Sequence, residues 1–286
     1  MASPADITAI IVTYNSQAVI QPCLAALKAE GVGRLVVDNA SQDNTVSLAK
    51  QAGAVVVEAG ANLGFGKANN LGVQQTTTDW VLFINPDAVV QPGSIARFIE
   101  AIGAYPEAGI FGPQILEADG RYFFQPRSFL ATFLKSRVSG KIVPEGNCCV
   151  AALSGACMLM RRDLFLALGG FDPEIFLFYE DDDLCRKVAD HGLPILYVHE
   201  AVVSHLRGQS STANLKSMFL MRACQAWSRA YVAQKYGLPH HALPGLLVNG
   251  AKYLVAALSF NAKRRARYGG SFVGTLRALL GQPTPR

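Results

Sequence analysis

The run Glu180-Asp181-Asp182-Asp183 is the densest group of ionisable side chains in the chain, with Phe176, Phe178 and Tyr179 before it and Leu184 after it. Four adjacent carboxylates repel one another, so their setting must offset that repulsion. A helix start does so, because its macrodipole and free backbone N–H groups favour negative charge. The flanking aromatics suggest a second use, since partial desolvation raises a carboxylate's pKa toward the range of a general base. Both uses stay open at this level.

Asp87 closes the triplet Asn85-Pro86-Asp87. A carboxylate just beyond a strand can hold Mg²⁺ or Mn²⁺ against a diphosphate, because hard cations prefer oxygen ligands. A plain turn aspartate is the alternative. His205, in Ser204-His205-Leu206-Arg207-Gly208-Gln209-Ser210, suits a structural hydrogen bond as well as a ligand role. The glycine-rich Asn62-Leu63-Gly64-Phe65-Gly66 matches neither the dinucleotide fingerprint nor the phosphate loop, which argues against a Rossmann oxidoreductase and a P-loop enzyme.

Positioning these groups requires a sheet. Ile7 to Thr13, Arg34 to Asp38, Ala54 to Glu58 and Trp80 to Ile84 are short β-rich runs with polar or glycine-containing borders. Helical spacing separates them, as in Val19, Cys23, Leu24 and Leu27, and again in Ile95, Phe98, Ile99 and Ile102. Such alternation predicts right-handed βαβ crossovers and a mostly parallel sheet with its ligand edge at the carboxyl ends of the strands. From Pro113 to Asn147 the pattern fades and irregular structure or a flexible excursion is expected. A second ordered block follows, with a helix over Arg162 to Leu168 ended by Gly169-Gly170, another after the acidic run, and a strand over Ile195 to Val198. His205 then falls beyond the last predicted strand.

The chain has 286 residues, half of them hydrophobic and 16% charged, which supplies a core and excludes disorder as its basis. The net charge of +5 gathers partly in Lys263, Arg264, Arg265, Arg267, Arg277 and Arg286, a pattern suited to phosphates, acidic lipid or nucleic acid. Six cysteines without paired spacing fit reduced thiols. Neither a secretory signal nor an apolar run of about 18 residues is present, so a cytoplasmic protein is expected. Leu246 to Phe260 is largely apolar and leads into Lys263-Arg264-Arg265-Ala266-Arg267. That segment reads either as a helix lying in an anionic membrane surface or as one packed on the domain with solvated cations.

Together the motifs resemble the family 2 glycosyltransferases, and among them the bacterial rhamnosyltransferase branch. The stretches that carry the resemblance begin with Ile10-Ile11-Val12-Thr13-Tyr14-Asn15-Ser16, Val36-Val37-Asp38-Asn39-Ala40-Ser41 and Asn62-Leu63-Gly64-Phe65-Gly66-Lys67-Ala68-Asn69-Asn70. They continue through Leu82-Phe83-Ile84-Asn85-Pro86-Asp87, Leu153-Ser154-Gly155-Ala156-Cys157, Gly169-Gly170-Phe171-Asp172, Tyr179 to Arg186 and His205 to Ser210.

The resemblance implies a GT-A fold, an α/β architecture with a Rossmann-like, mostly parallel sheet flanked by helices. It implies a catalytic domain over residues 1–212, divided into a nucleotide-binding half, 1–112, and an acceptor half, 113–212, then a helical basic extension, 213–286. Thr13, Tyr14, Asn15 and Asp38 would surround the base and ribose, with Asn62, Gly64, Phe65, Asn70 and Asn85 completing the nucleotide-sugar site. Asp87 and His205 would hold Mg²⁺ or Mn²⁺, although Asn85-Pro86 stands where many members carry another acid. Asp181 falls on the general base of an inverting displacement, Glu180 and Asp183 are expected to face or support the acceptor, and Asp182 is expected in solvent. The implied donor is a dTDP- or UDP-linked sugar, foremost dTDP-rhamnose, and the implied acceptor is a polyprenyl-diphosphate-linked glycan of the cell surface. That acceptor places the protein in the cytoplasm, peripheral to the inner membrane, with no nucleic-acid partner. Rival readings are transfer of another sugar from a UDP or dTDP donor, a sugar nucleotidyltransferase, and a non-catalytic nucleotide- or carbohydrate-binding protein.

Overall fold

The structure, a computed structural model, describes residues 2–124, 128–131, 143–205, 214–239 and 241–285. Leu206 to Ser210 of the histidine motif, Arg127, and residues 125–127 and 132–142 of the segment expected to be irregular lie outside the described residues.

The strands are β1 (Ile7–Thr13), β2 (Gly33–Asp38), β3 (Val55–Glu58), β4 (Trp80–Ile84), β5 (Ala88–Val90), β6 (Ile110–Glu117), β7 (Tyr122–Phe123), β8 (Cys148–Cys149), β9 (Cys157–Arg161) and β10 (Ile195–His205). The helices are α1 (Ile20–Ala29), α2 (Thr45–Gln51), α3 (Phe65–Gln74), α4 (Ser94–Ala104), α5 (Arg162–Ala167), α6 (Glu180–Asp190), α7 (Leu215–Lys235), α8 (Ala242–Leu258) and α9 (Ala262–Leu279). One sheet runs in the order β3-β2-β1-β4-β9-β6-β10-β5, with β7 on β6 and β8 on β10.

The alternation of the first 90 residues yields a parallel unit, β3-β2-β1-β4. Beyond it the sheet is mixed, because β9 runs antiparallel to both β4 and β6, and β5 runs antiparallel to β10. Ile7, Ala9 and Ile11 on one face and Ile10 on the other enter separate cores, as a sheet covered on both faces requires. Phe83, Phe165 and Phe171 form a ring cluster with centroids 4.9 to 5.4 Å apart, beneath the loops that follow the strands.

Two expectations are corrected. Residues 113–117 are strand, because Pro113 sits where β6 meets the β10 bulge between Val198 and Val202, a place where a missing N–H costs little. That bulge also carries β10 past Val198, so His205 is its last residue and not part of a loop after the strand.

The last three helices pack as a group. Gly274 lets α9 lie against α7, since a Cβ there would meet the Ala223 carbonyl oxygen at 2.0 Å. In α8 only Ala242 and Ala256 are buried, and Leu247, Leu258 and the following Phe260 are 74%, 81% and 91% exposed. Among the described residues, no helix is long and apolar enough to cross a membrane.

Candidate active site

A cleft of about 360 Å³ opens at the carboxyl ends of β1, β2 and β4. Thr13, Tyr14, Asn62, Gly64, Phe65, Asn85, Glu180 and Asp181 line it, together with Ser154, Gly155 and the 176–178 segment. Residues far apart in sequence therefore meet at one edge, as the strand alternation requires.

Its walls are held by short-range hydrogen bonds. Asp38 Oδ1 accepts from the hydroxyls of Thr13 at 2.9 Å and Ser41 at 2.6 Å, while Oδ2 accepts from the Ser41 N–H at 2.8 Å. Asn39 clamps the next loop, donating to the Gly64 carbonyl at 3.1 Å and accepting from Leu63 N–H. Gly64 has φ +83°, and a Cβ there would lie 2.3 Å from the Phe176 carbonyl oxygen. Glycine is required on both counts.

The acidic wall is the start of α6. Phe178 and Tyr179 both have positive φ, 70° and 69°, a conformation costly for aromatic residues that turns the chain sharply into the helix. Asp181 Oδ2 accepts from the Gly155 N–H at 2.8 Å, and Oδ1 accepts from the Asp182 N–H at 2.9 Å. Burial raises the Asp181 pKa against these hydrogen bonds. Burial, with the neighbouring Asp181 charge, also pushes Glu180 well above the usual carboxylate range, and Glu180 Oε2 has no hydrogen-bond partner.

Asp87 is 2% exposed and follows Asn85 and Pro86, which line the cleft. Its Oδ1 receives no hydrogen bond and sits 3.2 Å from His205 Nε2, which is itself 3.4 Å from Asn85 Nδ2. A buried carboxylate oxygen without a donor, facing an imidazole nitrogen, is a donor set that suits a divalent cation. Among the described residues, no group of three or more His, Cys, Asp or Glu side chains converges, so a cation here would take its remaining ligands from water and substrate.

Several expected site residues stand elsewhere. Asn15 is exposed, and its side-chain oxygen accepts from Gln42 N–H at 2.7 Å. Asp38 is 2% exposed with both oxygens occupied, so it braces the two loops and does not line the cleft. Asn70 is bonded in both directions to the Phe171 backbone, at 2.8 and 2.9 Å, and ties α3 to the loop before α6. Asp182 is not in solvent: it is half-buried against Ser128, and burial first, then the Asp181 charge, raises its pKa to about 7. Asp183 is fully buried and faces away from the cleft, bonded by Lys235 Nζ at 2.7 Å and the Tyr236 hydroxyl at 2.8 Å. Lys235 also reaches Asp172 at 2.6 Å, and the Tyr231 hydroxyl donates to the same carboxylate at 3.0 Å.

Lys235, Tyr231 and Tyr236 carry no sequence signal, because their partners lie some 50 to 60 positions away in the chain. Gly155 belongs to the Leu153-Ser154-Gly155-Ala156-Cys157 motif, and its N–H ties that motif to the acidic helix start.

The model of the family described as "Glycosyl transferase family 2" matches residues 8–169. The chain is 30% identical over 239 residues to the N-acetylglucosaminyl-diphospho-decaprenol L-rhamnosyltransferase of Mycobacterium tuberculosis, covering 71% of this chain and 76% of that protein. It is 23% identical to the dTDP-rhamnosyl transferase RfbF of Shigella flexneri, over 72% of this chain and 71% of that one. The crystal structure of GalNAc-T7 with UDP, GalNAc and Mn²⁺ superposes with a TM-score of 0.55 at 16% identity, covering 76% of this chain and 47% of that one. The same fold thus accompanies a family match over more than half of the chain, and the protein belongs to glycosyl transferase family 2, whose reaction is glycosyl transfer from a nucleotide sugar.

Proposed function

We propose that the protein transfers L-rhamnose from dTDP-rhamnose to a hydroxyl of a polyprenyl-diphosphate-linked glycan, with inversion at the anomeric carbon. The observation that carries this reading is the position of Asp181, a carboxylate of raised pKa on the wall of a cleft whose other walls come from three strand ends. The rhamnosyl donor and lipid-linked acceptor are supported by the two relatives named for them.

In this reading Thr13, Tyr14 and Asn62 contact the nucleotide, and Phe65 closes the wall behind it. Tyr14, 45% exposed, offers a ring at the cleft mouth for stacking on the base. Asp181 takes the proton from the acceptor hydroxyl as its oxygen attacks, while the Gly155 and Asp182 N–H groups keep the carboxylate aimed. Two hydrogen bonds leave lone pairs free on the carboxylate for that proton. Glu180, raised well above the usual range by burial, favours its protonated form, which offers an O–H to the acceptor side without adding repulsion. Asp87 and His205 would hold Mg²⁺ or Mn²⁺, which when bound neutralises charge on the departing diphosphate. Residues 1–112 then serve the donor and 113–212 the acceptor, with the last helices acting as a basic extension. The exposed apolar face of α8, followed by the basic start of α9, supports peripheral contact with the cytoplasmic face of a membrane.

The test is nucleoside diphosphate release from a panel of UDP-, dTDP- and GDP-sugars with Mg²⁺, Mn²⁺ or chelator, with a short-chain polyprenyl diphosphate glycan present. Release from dTDP-rhamnose alone, abolished by chelator and by Asp87→Asn, is expected. Release from a UDP-sugar instead would replace the donor, and failure to bind any nucleotide would remove the reading.

A further inference from the structure

Charge is sorted along this chain. Residues 201–286 contain twelve Lys and Arg and no Asp or Glu, whereas residues 1–200 contain fourteen against twenty-one acids. Part of the basic excess converges on a pocket of about 500 Å³ lined by Phe178, Met218, Met221, Arg222, Lys263, Arg264 and Arg267. Lys263, Arg264 and Arg267 stand at i, i+1 and i+4 of α9, and all three are exposed. Among the described residues none of the three is paired with a carboxylate, and Arg222 donates only to the Gln225 amide at 3.0 Å. Cations brought together without a counter-charge repel, and a bound anion relieves that repulsion.

The position of the pocket narrows the anion. Phe178 lines both this pocket and the cleft that holds Asp181. On its other side, Arg222 and Gln225 are shared with a further cavity of about 600 Å³ that is bordered by Ala242, Pro244 and Val248 of α8. Three hollows therefore follow one another from the reaction site, through a cationic pocket, to the helix whose Leu247, Leu254 and Leu258 face outward. A molecule that is sugar at one end, doubly phosphorylated in the middle and hydrocarbon at the other matches that order. A concave pocket with two methionines and a phenylalanine suits such a molecule better than the long open stripe a nucleic-acid backbone needs.

We propose that this pocket seats the diphosphate of the acceptor, with its sugar passing Phe178 toward Asp181 and its lipid chain leaving along α8. The assignment rests on the lipid-linked acceptor of the preceding section. Lys263, Arg264 and Arg267, with Arg222, donate charge-assisted hydrogen bonds to the diphosphate oxygens.

Co-sedimentation separates the assignment from its rivals. Full-length protein is mixed with phosphatidylcholine vesicles that are plain, carry a small fraction of polyprenyl diphosphate, or carry phosphatidylglycerol at matched charge. Wild type is expected to favour the polyprenyl diphosphate vesicles, and K263Q/R264Q/R267Q to lose that preference by a factor on the order of one thousand, each lost charged hydrogen bond weakening binding about tenfold. The charge-preserving K263R/R264K/R267K keeps the preference, and R265Q, which removes a neighbouring cation outside the pocket, leaves it unchanged. Equal binding to phosphatidylglycerol vesicles, or a triple variant that binds like wild type, would overturn the assignment. Nucleotide binding followed in the same samples tells the two readings apart: a protein that binds nucleotide but not the diphosphate lipid refutes the pocket alone. One that binds neither refutes both.

Discussion

In the sheet half, the groups in and around the cleft are fixed by hydrogen bonds within residues 38–182: Asp38 by Ser41, Asn39 by the 63–64 backbone, Asp181 by Gly155 and Asp182. The helices after residue 214 present no lining residue to that cleft, yet Lys235 and Tyr236 grip Asp183 on the same helix that carries Asp181. In the proposed reading one half supplies the chemistry, and the other braces the acidic helix through Asp183. Of the C-terminal cations, Lys235 pairs with Asp172 and Asp183 of the acid-bearing part, whereas Lys263, Arg264 and Arg267 pair with no carboxylate among the described residues.

The sharpest separation comes from Asp181→Asn. An amide keeps the hydrogen bond from Gly155 but cannot take the acceptor proton, so kcat should fall by about 10³-fold or more while nucleotide affinity holds. An undiminished rate would move the chemistry elsewhere on the cleft.

Lys235→Met tests the other half. It leaves Asp172, 7% exposed, without its cation, and fully buried Asp183 with only the longer 3.6 Å contact to Lys187. Breaking a buried pair costs about 3 kcal/mol or more, here a fall in Tm of about 8 °C for a chain of this size. The D183N/K235M pair should recover part of that loss, since the stranded charge is gone. If stability falls and kcat does not, the helices are a scaffold only; a lower kcat at unchanged nucleotide affinity shows that they position Asp181.

Gly64→Ala probes the sheet half with a smaller expected effect. Its positive φ and the Phe176 carbonyl 2.3 Å from the new Cβ should cost about 2 kcal/mol and weaken nucleotide binding about tenfold, read by calorimetry.

The sequence reveals the sheet half better than the helical half, for physical reasons. Ile7–Thr13 and Trp80–Ile84 are bounded by polar residues on both sides, so their ends coincide with the strand ends. The continuation of β10 past Val198 is hidden, because His199 and Glu200 interrupt the apolar run where a bulge turns them outward. Of the four carboxylates, Asp181 and Asp183 lie two positions apart on a helix, roughly 200° around it, so both cannot face one cleft. That geometry was available from spacing alone. Which of them faces the cleft depended on Lys235, 52 positions away from Asp183, and no local pattern points to it.

The smallest effect discriminates between the halves by its sign. Burial raises Asp182 to about 7, well above an unfolded aspartate at about 3.9. Below that unfolded value both states hold the proton. Between about pH 4 and pH 7 the unfolded chain releases it first, so this contribution to stability is present at low pH and lost as pH rises. Asp182→Asn cannot titrate, and its stability relative to wild type should therefore climb from pH 4 to pH 8, followed by urea unfolding at each pH. Asp172 behaves oppositely: burial pulls its pKa up, but Lys235 and the Glu174 N–H outweigh it and hold the carboxyl below the ordinary value. Its contribution is present above the unfolded pKa and lost as pH falls, so the deficit of Asp172→Asn should shrink on acidification through pH 4. Opposite slopes for two aspartates ten positions apart would show that one is held against its charge by burial beside Ser128 and the other by the cations of the helices behind it. Parallel slopes would erase that distinction.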